Sequence, residues 1–126
     1  MGVVTGNSNV AVGYQAGQAL TSGSENIVIG QGAGDALTTG NFNVAIGRSA
    51  LSTEDTTGAN VAIGYQALTL LNANANAYNN AIGYQAGAAM TTGINNTLLG
   101  ANAGDALTTG SDNIAIGLSL IHISEP

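Results

Sequence analysis

The chain predicts a parallel β-solenoid, and three observations carry that prediction. A five-residue phrase, Asn followed by small and branched apolar residues and closed by Gly, recurs seven times in 126 residues. Five of the six steps between closing glycines are 17 residues, and the sixth, from Gly64 to Gly83, is 19. The inside of the phrase is rich in β-branched residues, which suits a short strand. A period this short and strict marks a stacked array whose units cannot bury their apolar residues alone. The chain is therefore expected to be all-β, with about seven 17-residue rungs. Each strand would pair in parallel with the next at about 4.8 Å, so six steps give a rod of roughly 29 Å.

Aligned on the phrase, the rungs share a 17-position frame. The first position is Asn9, Asn26, Asn43, Asn60, Asn79, Asn96 and Asn113. Identical amides stacked at strand spacing form a hydrogen-bonded ladder. The second and fourth positions are mostly branched, as in Val10 and Val12 or Ile27 and Ile29, with Asn80 and Thr97 as second-position exceptions. The fifth is Gly13, Gly30, Gly47, Gly64, Gly83, Gly100 and Gly117. An unbroken Gly column predicts a corner with positive φ or a close approach of neighbouring backbones. The eighth position is Ala in all six rungs that reach it, and the eleventh and twelfth are mostly Ala-Leu. One small and one larger apolar side chain per rung would fill a narrow interior. A Thr-Thr-Gly or Thr-Ser-Gly turn then returns the chain to the next Asn. Between corner and turn, segments such as Gln15 to Leu20 suit either a second strand or one helical turn.

The third position bears on assembly. Side chains alternate faces along a strand. If positions two and four point into the coil, then Ala11, Val28, Ala45, Ala62, Ala81, Leu98 and Ala115 point away from it, and none is polar. A strand apolar on both faces is normally covered on both. These seven residues are the expected oligomer face of a homo-oligomer.

Composition excludes most chemistry. Arg48 is the only Lys or Arg, and there are seven acids, one His and no Cys or Trp. A net charge of −6 with a single cation removes the phosphate contacts of nucleic-acid binding. Although 44% of residues are apolar, much of that is Ala, with one Phe and four Tyr, so the core must be thin and close-packed. Neither a secretory signal nor an 18-residue apolar span is visible. Cys usage leaves the compartment open.

The repeat occupies residues 1–117 and appears cut mid-repeat at both ends. Thr5-Gly6-Asn7-Ser8 before Asn9 matches Thr39-Gly40-Asn41-Phe42 before Asn43. Residues 118–126 break the pattern and hold the chain's only His, His122, and only Pro, Pro126. They read as a non-native tail, like translated adapter sequence, so His122 carries no functional weight.

The phrases Asn43-Val44-Ala45-Ile46-Gly47 and Asn113-Ile114-Ala115-Ile116-Gly117 resemble the head repeats of trimeric autotransporter adhesins. The longer version, with Tyr65-Gln66-Ala67 or Tyr84-Gln85-Ala86 after the corner and, in the latter rung, the closing turn Thr91-Thr92-Gly93, resembles related repeats of phage tail fibres and bacterial surface proteins. The likeness spans Thr5 to Gly117. It implies a left-handed β-roll, three chains about one axis, an extracellular place on a bacterial surface or virion, and attachment to a host surface or matrix. The adhesin head repeat is somewhat shorter than this one, and no stalk coiled coil or membrane anchor is seen, so adhesin and phage fibre both stay open.

Other motifs yield to the repeat. Gly30-Gln31-Gly32-Ala33-Gly34-Asp35 misplaces the third Gly of GxGxxG. Asp35 and Asp105 share a column that is otherwise Gln, Ser, Thr and Ala, which reads as solvated carboxylates and not a calcium repeat. Glu54-Asp55 sits in a turn with no partner acid, so no catalytic, cofactor or metal residue is assigned and no enzyme is expected. The Thr pairs, such as Thr38-Thr39, read as turn formers. The 19-residue rung includes Leu70 to Tyr78, which would bulge a loop that presents Tyr78 to a ligand or, as the favoured reading, is a neutral insertion into the turn. Tyr14, Tyr65 and Tyr84 follow the corner and are expected to pack over it. The expected function is a fibre segment for attachment, assembled as a homotrimer without contacting nucleic acid or membrane. A ligand-binding or ice-binding β-solenoid is the alternative.

Overall fold

A computed structural model describes residues 5–118. Seven three-residue strands follow one another: β1 (Val10–Val12), β2 (Ile27–Ile29), β3 (Val44–Ile46), β4 (Val61–Ile63), β5 (Asn80–Ile82), β6 (Thr97–Leu99) and β7 (Ile114–Ile116). They form one parallel sheet in chain order. The register matches column to column, Val10 with Ile27, Ile27 with Val44 and so on to Ile114. The 19-residue step does not break it, since Val61 pairs with Asn80. The expected β-solenoid is the fold.

Between strands the described residues form neither a helix nor a second strand. The chain makes two consecutive turns, closed in the first rung by Ala16 N–H to Gly13 O at 3.2 Å and Leu20 N–H to Gly17 O at 3.0 Å. A bond to the next rung, Gly17 N–H to Ala33 O at 2.9 Å, lies between them. Positive φ recurs in fixed columns, at Gln15, Gln66 and Gln85 after the corner and at the residue before each Asn, including Phe42 and Tyr78. The coil thus holds non-Gly residues in the left-handed region at every rung, which stacking stabilises against the local cost.

The corner glycines meet both expectations. Gly64 has φ +135°, and a Cβ there would lie 2.3 Å from the Gly83 carbonyl oxygen. Backbones therefore stack too closely at the corner for any side chain.

The strand orientation reverses the sequence-based expectation. Third-column Val28, Ala45, Ala62, Ala81 and Leu98 point into the coil and are buried, as is Ala115, while Ala11 at the first rung is exposed. These seven residues are therefore not an outer oligomer face. Columns two and four, which were expected inside, form the outer surface: Val10 is 46% exposed and Ile116 62%. The reason is volume. The interior also takes the eighth-column alanines Ala33, Ala50, Ala67, Ala86 and Ala103, and the anchors Leu20, Leu37, Leu71 and Met90. A coil of this cross-section has room for one mostly small strand column, not for two branched ones.

Candidate interaction surfaces

Each surface follows from where the coil directs its columns. The outer strand face presents positions two and four of seven rungs, all apolar except Asn80 and Thr97. Central residues Val44, Ile46, Val61 and Ile63 are half-buried by their stacked neighbours, and terminal Ile114 reaches 75% exposure. The strands behind them are in register, so the face is a two-column array repeating at about 4.8 Å. It is neutral and carries no titratable group.

The Asn column is internal and structural. Asn26, Asn43, Asn60, Asn79 and Asn96 are fully buried. Each backbone N–H from Asn26 to Asn113 donates to the Oδ1 of the preceding Asn, at 2.9–3.2 Å. Nδ2 adds a bond to a closing-turn carbonyl, as from Asn79 to Gly93 O at 2.8 Å. The ladder is thus largely side chain to backbone and fixes the entry of each strand.

The Thr turns divide, since Thr39, Thr56, Thr92 and Thr109 stand exposed one column beyond the bonded hydroxyls. Thr21, Thr38 and Thr91 donate their hydroxyls to the carbonyls of Thr38, Asp55 and Thr108 on the next rung. They are turn formers, and these hydroxyls are not a free array for ice.

The acids are dispersed. Asp35 and Asp105 lie four rungs apart, roughly 19 Å, and are half-buried, which corrects the fully solvated reading. Among the described residues no three His, Cys, Asp or Glu side chains group to hold a metal ion. Glu54 departs furthest from expectation, being fully buried. Its Oε1 accepts from Thr57 N–H at 3.1 Å and its Oε2 from Ala73 N–H at 3.2 Å. The signal was available: Glu54 stands in the Leu column, directly before the one rung that is two residues longer.

That longer rung keeps its flanks in the stack, with Leu71, Ala73 and Ala77 buried, and turns Asn74, Ala75 and Asn76 outward. Tyr78, 55% exposed, stands beside this bulge. Of the post-corner tyrosines, Tyr14 and Tyr84 are exposed instead of packed down, and Tyr65 is half-buried. Tyr65 and Tyr84 stack at 5.2 Å with ring planes 14° apart. A hollow of about 490 Å³ lined by Ala11, Ala16 and Leu20 among others is the end of the stacked interior at the first rung, not a lateral cleft. The expected non-native tail, residues 118–126, lies outside the described residues apart from Leu118.

Compared with protein-family models, curated proteins and solved structures, the chain matches none of them.

Proposed function

We propose that this chain is a structural attachment module, a fibre segment that assembles as a homotrimer and serves a bacterial surface adhesin or a phage tail fibre at the host surface. The observation that carries the reading is the outer strand face. Two columns of branched side chains run the length of a rigid rod, and a contiguous apolar surface of that kind is normally covered by another chain. Three parallel rods would each turn this face to a common axis, with the closing turns and the bulge of the longer rung left outside to meet a receptor. The scarcity of catalytic side chains and the net charge of −6 favour adhesion over enzymatic work or nucleic-acid binding.

Sedimentation equilibrium tests the assembly. A species of three times the 12.3 kDa chain mass is expected, resistant to heat. Substituting both Ile46→Asp and Ile63→Asp on the outer face is expected to give a folded monomer. A wild-type chain that stays monomeric at micromolar concentration would count against the proposal.

An ice-binding reading uses the same regular face and so requires it to be uncovered. It predicts freezing hysteresis in a monomeric wild type that the Ile46→Asp and Ile63→Asp pair removes.

A further inference from the structure

The column that follows the corner glycines points to a ligand class. It reads Tyr14, Gln31, Arg48, Tyr65, Tyr84 and Ala101 from the first rung to the sixth. The Tyr65 and Tyr84 rings are 5.2 Å apart and nearly parallel, close to the strand spacing of about 4.8 Å. Their planes therefore lie across the rod axis, and each ring turns one face up the column and one down. Tyr84 covers a face of Tyr65. The opposite face of Tyr84 looks toward the sixth rung, where the column residue is Ala101, and Tyr84 is 52% exposed.

This leaves a step one side chain deep, with an aromatic wall at Tyr84, a methyl floor at Ala101 and, one rung beyond, the exposed side chain of Leu118. Its edge is neutral and polar. Gln85 donates Nε2–H to Gln66 Oε1 at 2.9 Å, which aligns the amide along the column. The Gln85 Oε1 and the Asn102 side-chain amide, both half-buried, have no protein hydrogen-bond partner among the described residues. An aromatic face beside neutral amide groups with no partner among the described residues suits a ring with an apolar face and a hydroxylated rim. The only cation in the column, Arg48, lies on the far side of Tyr65, and the chain is acidic, so an anionic ring is disfavoured.

We propose that the step formed by Tyr84, Ala101, Gln85 and Asn102 binds one pyranose unit of a neutral glycan. The proposal rests on the attachment reading and gives it a ligand. Tyr84 supplies stacking, and the two amides orient the ring hydroxyls.

Saturation-transfer NMR with maltohexaose, mannohexaose and chitotetraose tests it, with a sulfated heparin tetrasaccharide as the anionic probe. Transfer to ring protons of at least one neutral probe is expected, with a dissociation constant on the order of millimolar. Tyr84→Ala should weaken it about three- to tenfold. Ala101→Tyr, which extends the stack and fills the step, should abolish it, and Tyr78→Ala should leave it unchanged. No transfer to any neutral probe, preference for the heparin probe, or wild-type binding by either the Tyr84→Ala or the Ala101→Tyr chain would overturn the proposal. Sedimentation of the same samples separates the two readings: a trimer without sugar transfer removes the step alone, and a monomer with transfer removes the trimer alone.

Discussion

Glu54 shows how one residue joins two unlike rungs. Its column otherwise carries Leu20, Leu37, Leu71, Met90 and Leu107, so an apolar side chain fits the site. A buried carboxylate there costs several kcal/mol unless hydrogen bonds offset it. In the first rung the equivalent of Thr57, Gly23, donates its N–H to Thr38 O of the next rung. Ahead of the longer rung that bond is replaced, and Glu54 accepts the Thr57 and Ala73 amides instead. Glu54→Leu should therefore destabilise the chain by about 2–4 kcal/mol despite matching its column, because two buried N–H groups lose their acceptor. Glu54→Gln keeps one acceptor and should fall between. Guanidinium unfolding midpoints decide: a Leu variant as stable as wild type would show that the carboxylate does not serve those amides. The same logic reaches Asn79, whose Oδ1 accepts both the N–H and Nδ2–H of Asn96. Asn79→Ala should cost about 2–4 kcal/mol by the same measurement, more than any solvent-facing Asn such as Asn74.

At the scale of the element, strand and turn exchange volume. Val28 and Leu98 are the only large side chains in the inward strand column, and each faces glycines in the ninth column. A Cβ on Gly34 would lie 2.8 Å from Val28 Cγ1, and one on Gly104 would lie 2.8 Å from Leu98 Cδ2. Where the strand column is Ala45 or Ala62, the ninth column carries Leu51 or Leu68, buried and with φ near +50°. Volume is thus traded between strand and turn in the second, third, fourth and sixth rungs, and Val28, Leu68 and Leu98 reach over the glycines of the first and fifth. Gly34→Leu alone should overpack and Val28→Ala alone should leave a cavity, each costing about 1–3 kcal/mol. The double substitution reproduces the third-rung arrangement, and should be more stable than the sum of the singles by about 1–2 kcal/mol in a double-mutant cycle. This exchange also explains what the sequence could tell. The period, the parallel register and the corner were legible because each column repeats a single chemical demand: Asn for the ladder, Gly for backbone contact. The direction of the strand was not, because alternation carries no sign when all three positions are apolar, and only volume separates Ala45 from Val44 and Ile46. A thin Ala-rich core already implied that the small column belongs inside. The exposed tyrosines were missed for a related reason, since the column after the corner has no fixed residue type to reveal its direction.

For the whole molecule, the sheet order β1 to β7 means that every rung touches only its neighbours in sequence. Stability is then a sum of rung and interface contributions, and a terminal rung has one interface where a central rung has two. Outer-face burial grades from the ends toward the middle: Val10 and Val12 are 46% and 56% exposed and Ile114 and Ile116 are 75% and 62%, Ile82 and Leu99 in β5 and β6 are 40% and 46%, and β3 and β4 are half-buried on the outside and fully buried within. Local opening should start at the ends and proceed inward. Amide hydrogen exchange should therefore be slowest at Val44 and Val61, and faster by roughly a hundredfold or more at Val10 and Gly117. Lateral assembly through the outer face would slow exchange throughout but keep the gradient, because the strand amides point along the rod and not toward a neighbouring chain. Gly64→Ala places a methyl 2.3 Å from the Gly83 carbonyl oxygen and should interrupt the stack between β4 and β5. Exchange in that variant should acquire a second fast region at Val61 and Asn80. Uniform exchange in both proteins would instead mean that the rod opens as one cooperative unit, and would remove the nearest-neighbour description.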